Sequence, residues 1–161
     1  MFAVEAASAQ VVINEIHYHP VENPLFDASG NPTYTDNTAA DLSADVHEFV
    51  EIYNAGARAI DLGGWRLAGG IDFTFEAGTL IPVGGFKVIA RDPDRIQKVY
   101  GLTRVLGPYD GVLSNKGDTV KLVNTAGASI DAVTYGSDFP WSISANALGA
   151  SDDFTDRKSV V

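Results

Sequence analysis

The chain has 161 residues, of which 45% are hydrophobic, and it contains no cysteine. Disulfide bonds, cysteine-type zinc sites and thiol nucleophiles are therefore excluded, and no apolar run reaches the roughly 18 residues that a membrane span needs. The net charge is -10 and no lysine or arginine precedes Arg58. An N-terminal third of this kind lacks the clustered cations that bind a nucleic-acid backbone.

The first nine residues resemble the end of an export signal. Ala7-Ser8-Ala9 stands before Gln10, in the small-x-small pattern that signal peptidases cleave. The alternative for residues 1–9 is a disordered, alanine-rich N-terminus. The export interpretation predicts a secreted or cell-surface protein.

Residues 10–19 form the first predicted strand, since they are rich in valine and isoleucine and Pro20 ends the run. Residues 20–46 follow as a long, acidic insertion. Within it, residues 38–45 can form one or two helical turns, with Asn37 or Thr38 as the cap.

Residues 47–67 read as a hairpin. Residues 48–54 have strand composition, and Gly56 sits in a turn between them and a second apolar run. Gly63-Gly64 shifts the alternation of that run, as a bulge does.

The rest of the chain predicts short strands and one helix. Strands are expected at 71–75, 86–91, 119–124 and 129–135. The helix is expected over 93–100, with Asp92 as N-cap, Pro93 in the first turn, Gly101 at the end, and Ile96, Val99 and Tyr100 on one face. Strands at this spacing indicate an all-β, immunoglobulin-like β-sandwich with one short helix.

Seven segments support a family resemblance. In chain order they are NEI (14–16), EFVEIYN (48–54), DLGGWRL (61–67), FTF (73–75), IPVGGFKVIARD (81–92), LSNKGDTVKL (113–122) and DAVTYGSDFPW (131–141). Their order resembles the lamin tail domain, in its bacterial, exported branch, over residues 11–149. The resemblance implies an immunoglobulin-like fold and a non-catalytic module of the kind appended to surface or secreted proteins. The predicted domain is 10–149.

The C-terminal residues depart from the family pattern. A final strand is common in the family after the Pro-Trp segment, whereas residues 150–161 are mostly polar and do not alternate. We therefore predict that this tail lies off the sandwich. A sheet that lacks its last strand exposes an edge, and an exposed edge makes a homodimer a candidate assembly.

Two groups of residues are candidate metal ligands. His17 and His19 project from one face of the first strand, and His47 and Glu48 could add ligands if the strands are neighbours. The alternative is that the two histidines lie in a solvated rim beside Pro20.

The acidic insertion offers oxygen ligands for Ca²⁺, without the spacing of an EF-hand. These residues are Asp27, Asn31, Asp36, Asn37, Asp41 and Asp45. The alternative is a solvated acidic loop, and the prediction is that no cofactor is required.

Catalytic and aromatic sites are the remaining candidates. Glu48 and Glu51 are three apart on a strand, so they point to opposite faces and cannot act as a glycosidase pair. We expect a buried, hydrogen-bonded structural glutamate, no catalytic residues and no enzyme. The aromatic candidates for a ligand platform are Trp65, Tyr109, Tyr135, Phe139 and Trp141. Core packing is the expectation for them, with Trp141 the most exposed.

These observations predict a structural or binding module of a secreted or cell-surface protein, which attaches to a protein or surface partner. The alternative function is a Ca²⁺-dependent glycan-binding sandwich that uses residues 20–46.

Overall fold

Two antiparallel sheets pack face to face around an apolar core. The computed structural model describes residues 10–18 and 46–136, together with the backbone of the short strands at 25–26, 32–33 and 152–153. The strands are β1 (Val11–His17), β2 (Leu25–Phe26), β3 (Pro32–Thr33), β4 (Phe49–Asn54), β5 (Ile60–Asp61), β6 (Arg66–Gly69), β7 (Ile71–Thr74), β8 (Leu80–Ile81), β9 (Phe86–Ala90), β10 (Asp110–Gly111), β11 (Gly117–Val123), β12 (Ser129–Gly136) and β13 (Asp152–Asp153). The one helix among the described residues is α1 (Pro93–Tyr100).

The strand order defines a first sheet, β13-β1-β4-β9, and a second sheet, β10-β7-β6-β11-β12. Two short ladders, β2-β3 and β5-β8, complete the pairing of the described strands. All named strand pairs are antiparallel. The predicted all-β sandwich with one short helix is confirmed.

Alternation along the strands builds the core. In β4, Val50 and Ile52 are fully buried whereas their neighbours are only half-buried, as expected for a strand with one face on the core. In β1 the register shifts between Ile13 and Glu15. This irregularity lets both Ile13 and Ile16 be fully buried despite their odd spacing.

The predicted hairpin at 47–67 is wrong, because its two halves belong to different sheets. β4 pairs with β1 and β9, whereas β6 pairs with β7 and β11. Gly63-Gly64 lies in a turn, closed by the Trp65 N–H donating to the Leu62 carbonyl at 2.8 Å, and is not a bulge. Residues 55–65 therefore carry the chain from one sheet to the other.

Asn54 explains why the chain leaves the first sheet at this point. The side chain is fully buried, and its Nδ2 donates to the carbonyl oxygens of Arg58 at 2.8 Å and Ile81 at 3.0 Å. Its Oδ1 accepts from the Gly56 N–H at 2.9 Å. The turn after β4 is thus bound to β8 and not to a returning strand. The residues of the turn could not predict this partner, because Ile81 lies 27 residues along the chain.

The helix forms as predicted, with one correction. The Asp92 carboxylate accepts from the Arg95 N–H at 3.0 Å, and Gly101 has a left-handed φ of 65°. Ile96 is fully buried, but Tyr100 is 48% exposed. The apolar face is therefore narrower than expected, since the ring of Tyr100 lies against that of Phe49 at 6.0 Å and not in the core.

The prediction that residues 150–161 lie off the sandwich is wrong for Asp152–Asp153, which form β13. This strand pairs with β1, with Asp153 opposite Glu15 and Asp152 opposite Ile16. Nearby on the same strand, the Ile13 N–H donates to the Asp131 Oδ2 at 2.8 Å. The outer edge of β1 is therefore covered by the backbone of β13 and by the Asp131 side chain of β12. Backbone pairing of this kind does not require an apolar pattern in the added strand.

Gly69 marks a close approach between strands of the second sheet. Its φ is 122°, and a Cβ on it would overlap the backbone carbonyl of Thr119. Gly127 also has a positive φ, 79°, but no atom lies within 4 Å of the place where its Cβ would be. Both glycines have a positive φ, but only Gly69 has backbone in the place where a Cβ would lie.

We predict that Gly69→Ala lowers the free energy of unfolding by roughly 3 kcal/mol or more, because overlap with backbone adds to the strain. Gly127→Ala, the matched control, is expected to cost about 1 kcal/mol from the left-handed conformation alone. Urea unfolding of both variants measures the difference. Equal losses would show that the Thr119 contact does not limit this position.

Candidate functional site

Glu48 lies fully buried between the two sheets, directly before β4. Its Oε2 accepts from the Tyr109 hydroxyl at 3.0 Å and from the Leu113 N–H at 3.1 Å. Nη1 of Arg91, at the end of β9, lies 3.9 Å from the same oxygen. The backbone repeats this connection, since the Arg91 N–H donates to the Glu48 carbonyl at 3.1 Å.

The surroundings of Glu48 keep two nearby tyrosine hydroxyls protonated. Burial, the negative charge of Glu48 and the hydrogen bond to it all raise the pKa of Tyr109, while the charge of Arg91 opposes them. Burial likewise raises the pKa of Tyr135, with the Asp118 charge acting in the same direction. Both hydroxyls therefore stay protonated at neutral pH, and Tyr109 acts as a hydrogen-bond donor.

Glu48 accordingly serves the fold. A carboxylate with no exposed surface, already bound by donors from two segments, does not contact a substrate in this arrangement. The predicted buried, hydrogen-bonded structural glutamate is confirmed at this position. The sequence did not indicate which of Glu48 and Glu51 is buried. It also did not identify the partners of Glu48, which lie more than forty residues away in the chain: Arg91, Tyr109 and Leu113.

Glu51 lies on the other face of the first sheet. It is half-buried and accepts from Nδ2 of Asn14 at 2.8 Å. The predicted opposite orientation of Glu48 and Glu51 is confirmed, and the two carboxylates do not flank a common space.

The structure tests only part of the prediction for the histidines, because it describes His17 and His47. β1 ends at His17, which is buried, with its ring 4.9 Å from that of Phe49 in an edge contact. The predicted solvated rim is therefore wrong for His17, because its ring packs against Phe49 and is shielded from solvent. His47 is buried as well. His19 lies outside the described residues, and within those residues no group of three or more His, Asp or Glu side chains is placed to hold a metal ion.

The aromatic candidates pack in the core where the structure describes them. Tyr109 and Tyr135 are buried, and Trp65 is partly buried against the core cluster. Phe139 and Trp141 lie outside the described residues, as do the acidic candidates of the insertion: Asp27, Asn31, Asp36, Asn37, Asp41 and Asp45. Calcium binding by residues 20–46 therefore stays a prediction.

A surface groove beside β9 was not predicted. It encloses about 560 Å³, and its apolar lining comes from separate segments, with Leu80 from β8, Phe86 from β9 and Leu102 from the connection after α1. These three side chains are 57%, 49% and 41% exposed. They are half of the six large apolar side chains that are exposed in the described part of the chain. No single stretch of the sequence indicates the groove, because its lining comes from separate segments.

Comparison with known proteins agrees with the fold. The family model described as Lamin Tail Domain matches residues 5–137, well over half of the chain. A search of curated proteins found no match. No helix in the part of the chain that the structure describes is long and apolar enough to cross a membrane. The family is one of immunoglobulin-like, non-catalytic modules.

Replacing the buried carboxylate tests its structural role. We predict that Glu48→Gln lowers the free energy of unfolding by about 2–4 kcal/mol, because the charge near Arg91 is lost and one donor replaces an acceptor in a buried cluster. Glu51→Gln is the matched control on the other face of the sheet. It keeps an oxygen that can accept from Asn14, so it is expected to change the free energy of unfolding by less than about 0.5 kcal/mol. Chemical denaturation measures both, and equal effects would contradict the assignment.

The raised pKa of Tyr109 predicts alkaline destabilisation. Above the ordinary value of 10.0 the unfolded chain releases a proton that the folded chain retains, so this contribution to stability is complete below pH 10 and declines as the pH rises. One such group adds at most about 1.4 kcal/mol per pH unit to the slope.

Tyr109→Phe is therefore expected to flatten the loss of stability above pH 10, although it removes a hydrogen bond at neutral pH. Tyr135→Phe is the matched variant and is expected to act in the same direction, because burial also raises the pKa of Tyr135. Denaturation curves across the alkaline range measure the slopes. An unchanged slope in both variants would show that neither hydroxyl is held protonated by the fold.

Proposed function

Since the chain belongs to the lamin tail domain family, we propose that it is a non-catalytic structural or binding module of a secreted or cell-surface protein. Its role is attachment to a protein or cell-surface partner. Membership of the family supports a structural or binding module. The proposal adds that this module is exported, that it binds a partner and that it has no enzymatic activity.

The observation that carries the binding role is the clustering of Leu80, Phe86 and Leu102 on one groove. Large apolar side chains left in water cost free energy, and grouped ones mark interaction sites more often than single ones do. The buried polar cluster supports the non-catalytic part of the proposal, since Glu48 is engaged by Tyr109 and Leu113.

The sequence supports the location. Ala7-Ser8-Ala9 before Gln10 fits a signal-peptidase site. Nine acidic residues and no lysine or arginine precede Arg58, which disfavours nucleic acid as a partner. Both features are consistent with a module that works outside the cell.

The test uses the complete gene product, with an epitope tag, in the organism that encodes it. Protease added to intact cells is expected to remove the tag signal, because the proposal places the module outside the membrane. The purified chain, fused to a fluorescent protein, is expected to bind the cell envelope saturably and to be displaced by the unlabelled chain.

A signal that survives protease until the cells are lysed would overturn the location. Envelope binding that rises linearly without saturation would overturn the attachment role. The fluorescent protein alone is the control in both measurements.

A further inference from the structure

We infer that the groove beside β9 is a strand-addition site, which binds an extended segment of a partner protein that alternates apolar and acidic residues. This inference rests on the proposed binding function and names the surface and the chemistry of the partner.

The backbone of β9 has an open edge next to the groove. The residues that flank β9 are hydrogen-bonded on the β4 side. The Gly85 carbonyl accepts from the Asn54 N–H at 3.0 Å, and the Arg91 N–H donates to the Glu48 carbonyl at 3.1 Å. Because hydrogen-bonding groups alternate sides along a strand, Phe86, Val88 and Ala90 turn theirs away from β4. Leu106 uses part of this edge, donating to the Val88 carbonyl at 2.8 Å and accepting from the Ala90 N–H at 2.9 Å.

The edge continues beyond the reach of Leu106. The Val88 N–H and both backbone groups of Phe86 face the groove, and no other described residue forms a backbone hydrogen bond with them. The edge thus offers two donors, the N–H groups of Phe86 and Val88, and one acceptor, the Phe86 carbonyl. An extended peptide can pair with these groups as an added strand, which is the mode of recognition called β-augmentation.

The groove exists because the neighbouring chain turns away. Leu106 pairs with Ile89 in parallel, but Arg104, two residues earlier, has a left-handed φ of 62°. Its N–H donates to the Gln97 side chain of α1 at 3.2 Å, and not to β9. Residues 102–105 thus become the far wall of a space that a guest strand can enter.

The lining is prepared for apolar side chains. The Phe86 ring stacks on that of Tyr53, with centroids 4.6 Å apart, so its exposed face is held in one orientation. Leu80 and Leu102 line the same groove. The volume of about 560 Å³ lies within the usual range for binding sites.

The charges select an acidic partner. Lys87 and Arg104 line the groove, and the one acidic side chain in the lining, Glu51, accepts a hydrogen bond from Asn14. This local positive charge stands in a chain of net charge -10. A second copy of the chain is disfavoured as the occupant, because two such copies repel one another.

The probe is a short synthetic peptide of alternating valine and glutamate, blocked at both ends and labelled with fluorescein. Alternation puts all valines on one face of the strand and all glutamates on the other. Two control peptides are used, one with lysine in place of glutamate and one of the same composition with the valines grouped together. Fluorescence anisotropy measures binding to the complete chain.

We expect saturable binding of the alternating acidic peptide, at least about tenfold tighter than either control peptide. Phe86→Ser and Leu102→Ser are each expected to weaken it about tenfold or more, whereas Val112→Ser is expected to leave it unchanged. Val112 is the matched control, since it is 46% exposed and lies outside the groove. Lys87→Glu with Arg104→Glu is expected to remove the preference for glutamate over lysine.

Val88→Pro tests the backbone contact. It removes an N–H that faces away from β4, so the β4–β9 pairing is retained and only strand addition is expected to suffer. Circular dichroism and a melting curve check that it folds; if it does not, the hydrogen exchange of the Phe86 and Val88 amides in the wild-type chain replaces it. Slower exchange on adding the peptide supports the inference, and unchanged exchange overturns it.

Absence of saturable binding, or equal binding of all three peptides, overturns the inference. So does a concentration-dependent dimer, seen by sedimentation, that Phe86→Ser abolishes, since the occupant would then be a second copy. The same variant is carried through the envelope-binding measurement. If Phe86→Ser still binds the envelope while no peptide binds the groove, the strand-addition site is wrong and the attachment role stands.

Discussion

The hydrogen bonds to the buried Glu48 carboxylate are the constraint on which the rest of the sandwich depends. This carboxylate lies at the start of β4, in the first sheet, and it binds Tyr109 and Leu113 on either side of β10, which belongs to the second sheet. Burying a charge with no exposed surface costs free energy unless donors surround it. Removing any one donor is therefore expected to destabilise the fold, because the buried carboxylate loses a partner. The cluster thereby determines where the connection after α1 rejoins the fold.

Other polar contacts hold the sheets together at their sides. The Tyr18 hydroxyl donates to the Gly136 carbonyl at 3.2 Å, and Asp131 of β12 accepts from the Ile13 N–H of β1. These contacts, with β13, cover one lateral side of the sandwich. On the opposite side Leu106 covers only part of β9. The asymmetry leaves the Phe86 end of that strand as the open edge among the described strands.

The sequence predicted what depends on local pattern. The strands β4 and β7, the Asp92 cap and the Gly101 end of α1 all follow from neighbouring residues. It failed where the partner is distant. Asn54 binds Ile81, so the residues after it cross to the second sheet and form no hairpin. β13 pairs through backbone groups of two aspartates, which have low strand propensity and no apolar pattern. The groove is assembled from three segments, none of which is distinctive by itself.

Hydrogen exchange at the Leu113 amide tests the central role of Glu48 most directly, because this N–H donates to the carboxylate in the interior. If the cluster is part of the cooperative core, the amide exchanges only through global unfolding, and its free energy of opening equals that measured by denaturation. In Glu48→Gln the two values should fall together. A Leu113 amide that exchanges through a low-energy local opening, with the core amides of Val50 and Ile52 still protected, would contradict the account.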